Sequence, residues 1–164
     1  MCQYGQGVVR GLLDGVETQA LKAFAVWLPM LGGDTAELAQ AESDSLADPR
    51  LEHSWDADHV LGNFFAKTLG LKSVAWDVYL LYASGTTWDP ETPPAPAFWM
   101  HQLPMVTGAD PNQLLHAGRF SRELLHLLGT DTADVAADLA LALHASGLSA
   151  VKRSRARHPL ADTP

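Results

Sequence analysis

One thiol, Cys2, stands directly before a helix-like run. A thiol at the start of a helix is favoured as the thiolate by the helix dipole and by the free amides of the first turn. Cys2 is therefore the residue best placed in this chain for nucleophilic or redox chemistry. A single cysteine excludes an internal disulfide, so a zinc site would have to be built from histidines and carboxylates. The densest set of those is His53, Asp56, Asp58 and His59. The spacing of the two histidines does not put both imidazoles on one helical face, and Asp56 is better used as a helix cap. His116 and His126 likewise depart from the i, i+4 pattern of zinc-binding helices and read as surface or boundary residues. No metal and no cofactor is expected. No G-x-S-x-G, phosphate loop or dinucleotide fingerprint occurs, so a hydrolase or nucleotide enzyme has no support.

The elements that would carry Cys2 follow from hydrophobic periodicity. Val8, Val9, Leu12, Leu13 and Val16 form an amphipathic stripe over residues 3–16. Gly5, Gly7, Gly11 and Gly15 weaken that helix by up to about 1 kcal/mol each, and close packing on a sheet is the reason they suggest. Leu21 to Leu28 is a nearly unbroken apolar run, the mark of a buried strand. Asp34 followed by Glu37 reads as a capping-box start for a helix over 35–46. Leu51 to Trp55 is a short edge strand. Asp56 caps a further helix that ends at Gly70, and Val74 to Tyr82 has the strongest strand composition in the chain. The proline-rich stretch 89–96 is an irregular loop and Phe98 to Leu103 a further strand. Helices are predicted from Asp110-Pro111 to Leu128 and over 132–146. Strands alternating with helices predict an α/β fold, a mixed sheet flanked by helices.

At 164 residues the chain forms one domain with an appendage, read as 1–129 and 130–164. No apolar run approaches the roughly 18 residues of a membrane span, and residues 1–30 lack the order of a secretory signal. The chain as written reads as cytoplasmic, with an incomplete N-terminus as the condition that would void this. The net charge is −8, although Lys152, Arg153, Arg155 and Arg157 cluster near the end. An acidic body disfavours nucleic acid, and the basic tail reads as a solvated terminus.

The order of elements, with Phe24-Ala25-Val26-Trp27-Leu28 as a strand, Asp34 to Leu46 as an inserted helix and Leu51 to Trp55 as an inserted strand, resembles the thioredoxin-like superfamily. The branch it is most similar to is that of peroxiredoxins and cytochrome-maturation proteins. Asp56, Gly62, Ala66, Leu69, Gly70 and Leu71 look like that branch's second helix. Val26 to Leu31 and Phe98 to Gln102 resemble segments of a group of thioredoxin-like proteins. The resemblance covers roughly residues 2–128.

It implies a thiol–disulfide oxidoreductase ancestry, with Cys2 at the catalytic position and a protein thiol or disulfide as partner. Such proteins carry a C-x-x-C pair across the start of their first helix. The register of Cys2-Gln3-Tyr4-Gly5 matches the run after the second, resolving cysteine. In the alternative register Cys2 is the nucleophile and Gly5 takes the resolving position. The preferred register implies that the nucleophile and the first strand lie outside this sequence, and that dithiol exchange is impaired in the chain as written. A non-catalytic binding module of the same fold is the alternative, with Trp27, Trp55, Trp76, Trp88 and Trp99 either lining a groove or packing in the core. The substrate-binding cis-proline of the family aligns with Ala75, beside Trp76, where a trans peptide is expected. The absent first strand would lie between 21–28 and 77–82. Three outcomes are expected from that: direct pairing of those strands, a partner's strand in the gap (a homodimer among the arrangements), or a poorly stable chain.

Overall fold

The computed structural model describes residues 3–89 and 92–129. Cys2, the helix expected over 132–146 and the basic tail lie outside the described residues. The described chain is mixed α/β, with four α-helices and two small sheets. No described helix is long and apolar enough to cross a membrane.

The first helix, α1, spans Gln3–Gly15 and leads to the strand β1, Ala23–Trp27. Helix α2 is Ala36–Ser45, and strand β2 is Leu51–Trp55. β1 and β2 pair in parallel with Ala23 opposite Leu51 and Trp27 opposite Trp55. Helix α3, Val60–Thr68, precedes the strand β3, Val78–Leu81. β3 pairs antiparallel with β4, Phe98–His101, with Val78 opposite His101. The last described helix, α4, is Ala117–Leu127.

Several boundaries differ from expectation for local reasons. Thr35, not Asp34, caps α2 by accepting from the Leu38 amide, while the Asp34 carboxylate accepts from the Leu31 amide in the preceding turn. The Asp56 carboxylate does serve α3, accepting from the amides of Val60 at 2.7 Å and Gly62 at 3.1 Å. The helix itself begins only at Val60, because His59 adopts a left-handed backbone at φ 56°. Residues 74–77 do not extend β3, since the Ala75 amide is bonded to the Gly62 carbonyl and Asp77 turns at φ 48°. The helix expected from residue 110 is broken. Pro111–Gln113 is a single 3-10 turn, and the Leu115 amide then leaves the helical ladder to donate to the His101 carbonyl at 2.7 Å. That bond and the Leu114–His101 bridge cover the outer edge of β4.

The larger difference concerns the sheet. Instead of one mixed sheet there are two separate pairs, β1–β2 and β3–β4. The direct pairing of 21–28 with 77–82 does not form. Helix α1 ties the pairs together. Its Val8 and Leu12, with Val16 directly after the helix, pack with Tyr79, Leu81, Met100, Phe120, Leu124 and Leu125, while its Leu13 packs with Leu46 and Leu51. Val9 and Leu21 touch both clusters. One helix therefore serves two sheets, and its apolar stripe is wider than a single sheet contact needs.

The C-terminal end of α1 is held by Arg50. Its guanidinium donates to the carbonyls of Leu13 and Val16, which the end of the helix leaves without intrahelical partners. Asp48 holds the guanidinium in turn, with Nη2 2.7 Å and Nε 2.9 Å from its carboxylate oxygens. Hydrogen bonds from the Arg50 side chain, and next from its amide, lower the Asp48 carboxyl to about 2. Its ordinary value is 3.8, so the group binds fewer protons folded than unfolded between those limits. Its contribution is complete above the ordinary value and is lost as the pH falls towards about 2. Urea midpoints measured down an acid series are expected to drop across that window, and the drop is expected to be shallower in Asp48→Asn. Parallel curves for the two proteins would contradict this assignment.

Candidate functional site

The expected site gathers the start of α1 and the segment Ala75-Trp76. Gly5, in the first turn of α1, lies against β3 and β4. A Cβ placed on it would sit 1.7 Å from the Tyr79 hydroxyl and 2.7 Å from Gln102 Oε1. Only glycine lets the helix approach this closely, which is the packing reason that its glycines suggested. The Tyr79 hydroxyl donates to Gln102 Oε1 at 2.7 Å, and the Gln102 amide donates to the Asp77 carbonyl at 2.9 Å. The first turn of α1 is therefore level with Asp77, the residue directly after Trp76. Cys2 precedes this turn in sequence and is outside the described residues.

Ala75 is buried, at 3% exposure, and its amide is committed to the Gly62 carbonyl at 3.0 Å. Trp76 is half-buried. No cis peptide occurs among the described residues, so the bond before Ala75 is trans, as expected. The structure thus brings the start of α1 and the 75–77 approach to the same end of the β3–β4 pair. Tyr79 and Gln102 join them, and sequence reasoning missed both. By sequence Tyr79 is a strand aromatic and Gln102 part of a strand, and neither pattern marks a contact with α1. The one signal was Gly5, whose small size announced a close neighbour without identifying it.

Four of the described histidines make hydrogen bonds within the fold. His101 is 1% exposed, donating from Nε2 to the Asp110 carbonyl at 2.8 Å and accepting the Leu103 amide at Nδ1, 3.0 Å. These partners assign Nε2 as the donor and Nδ1 as the acceptor of the ring. His59 reaches the Pro29 carbonyl and His116 caps α4 through Nδ1. His53 Nδ1 accepts from the Trp27 indole at 3.2 Å, and its buried Nε2 has no hydrogen-bond partner. Among the described residues no group of three or more His, Cys, Asp or Glu could hold a metal ion.

Trp27, Trp88 and Trp99 make their ring contacts with different partners. Trp27 stacks on His53 and Trp99 lies beside His101, whereas Trp88 contacts Phe65 and Tyr82. Burial raises the Tyr82 phenol above its ordinary value, and its hydroxyl donates to the Pro94 carbonyl at 3.2 Å. The proline-rich loop is thereby fastened back onto β3.

Comparison with known proteins adds no relative: no family model, no curated protein and no solved structure matches this chain.

Proposed function

We propose that this chain is a thioredoxin-like protein related to the thiol–disulfide oxidoreductases, with Cys2 as its reactive group and a protein thiol or disulfide as its partner. The observation that supports this reading is the packing of Gly5 against Tyr79 and Gln102. It sets the start of α1, the helix that follows Cys2 in sequence, beside the Trp76-Asp77 approach to β3. In such an arrangement the helix start favours the thiolate, and the turn at Trp76-Asp77 borders the surface that a disulfide-bearing segment would meet.

With one thiol the chemistry stops halfway. The Cys2 thiolate attacks a disulfide sulfur, a Cys2–S bond forms, and the partner's other sulfur leaves as a thiolate. No second thiol of this chain is there to resolve the mixed disulfide. The expected behaviour is stoichiometric. Mixing the protein with a chromogenic aryl disulfide should release one aryl thiolate per chain, and Cys2→Ser should release none. Insulin should not be reduced catalytically. Sustained insulin reduction, or a Cys2 that fails to react in the folded protein, would sink this proposal.

A second reading, a non-catalytic binding module of the same fold, is favoured by a separate observation. The edges of β1 and β3 have no partner strand among the described residues.

A further inference from the structure

Backbone parity identifies the groups at those two edges. In β1 the Ala23 amide donates to Arg50 and the Trp27 carbonyl accepts from Asp56, both towards β2. Residues 23, 25 and 27 therefore face β2, and the amides and carbonyls of Phe24 and Val26 face the other way. In β3 the Asp77 carbonyl accepts from Gln102 and the Leu81 carbonyl from Ala97, both on the β4 side. Val78 and Leu80 consequently present their backbone groups to the opposite edge. No backbone partner is found for Phe24, Val26, Val78 or Leu80 among the described residues.

The two edges adjoin one slot. On one face α1 spans both pairs, with Val9 touching both clusters. On the other, Gly62 of α3 lies against Leu28, directly after β1, and against Val74 and Ala75, which lead into β3. The end of β1 and the approach to β3 thus share one end of the slot, and the two strands run in opposite directions. Phe24, in the middle of β1, is 69% exposed on a strand otherwise at least half-buried, which leaves an apolar wall beside the free edge.

We propose that the slot between β1 and β3 captures an extended, uncharged apolar segment of a partner polypeptide, joining the two pairs into one sheet. This rests on the binding-module reading and makes no use of Cys2. The occupant's chemistry follows from the walls. Only an extended backbone offers alternating amides and carbonyls to both edges at once, parallel to one and antiparallel to the other. The cover of α1 on one face and the exposed Phe24 ring on the other favour apolar side chains on both of its sides. The strand lengths of five and four residues set a segment of similar length. The net charge of −8 favours an occupant with basic flanks.

The test is amide hydrogen exchange on the full chain, read by NMR with and without a synthetic peptide of alternating valine and isoleucine flanked by lysines. Without peptide, the amides of Phe24, Val26, Val78 and Leu80 should exchange fast while those of Ala25 and Tyr79 are protected. Added peptide should slow the four edge amides by about tenfold or more, in the wild type and in Cys2→Ser alike. A control peptide with proline at every second position should have no effect, since it lacks half the donors. Val26→Pro removes one edge donor while leaving the β2-facing bonds, and should weaken the response. Should that variant not fold, the wild-type exchange remains decisive.

The proposal is overturned by edge amides already slow in the monomeric chain, by no slowing with the peptide, or by equal slowing with the proline control. Slowing that follows chain concentration without peptide also overturns it, because a second copy would then close the edge. Failure of the aryl disulfide reaction, by contrast, would leave this result untouched.

Discussion

Replacing Arg50 by alanine is expected to lower stability by about 3 kcal/mol. Three losses combine. The Leu13 and Val16 carbonyls lose their donor at the end of α1. The Asp48 carboxylate loses the hydrogen-bonded cation that pairs its charge. The aliphatic stem of Arg50, 9% exposed overall, leaves a gap between α1 and the turn before β2. Because α1 is the element that ties the two strand pairs, fraying its end loosens the β1–β2 pair against the rest. A fall in the melting temperature of roughly 10 °C is expected from calorimetry. Arg50→Lys should recover only part of it, since one ammonium cannot reach two carbonyls and a carboxylate in the same geometry. A melting temperature unchanged by Arg50→Ala would show that water replaces the guanidinium at no cost.

Gly62→Val is expected to be comparably destabilising, at roughly 3 kcal/mol, through overpacking. A Cβ on Gly62 would lie 2.6 Å from Leu28 Cδ2, 2.7 Å from Val74 Cγ1 and 3.3 Å from the Ala75 carbonyl oxygen. The two side chains could rotate away from a methyl, but the carbonyl belongs to a backbone held by the Ala75–Gly62 bond at 3.0 Å. Valine adds branches at the tightest point, so α3 must shift and carry Ala75 with it. Gly62→Ala should cost less, because its gain in helix propensity of about 1 kcal/mol offsets part of the clash. Denaturant titration of both variants checks the order. If valine proved no worse than alanine, α3 would not be seated closely on Leu28 and Val74.

Both predictions concern contacts between elements that are distant in sequence, and that is where sequence reading ran out. Element types were legible. The stripe from Val8 to Val16 gave away α1, the run before Pro29 announced β1, and Gly70, with φ 69°, ends α3 as expected. Each of those signals is local, being a period, a cap or a stop. The role of Asp56 as a helix cap was equally local and was correctly assigned.

What the sequence by itself determined, then, is an α/β chain with one thiol ahead of its first helix. The tertiary structure decided the rest. The break before α4 depends on a bond from Leu115 to His101, and the short β3 on a bond from Ala75 to Gly62. The partners of Gly5, Tyr79 and Gln102, lie more than seventy residues away from it. The division of the sheet into two pairs was hidden for the same reason. A strand's pattern of side chains records which faces are covered, whereas its edges are backbone, identical in every residue, and carry no mark of which neighbour they meet.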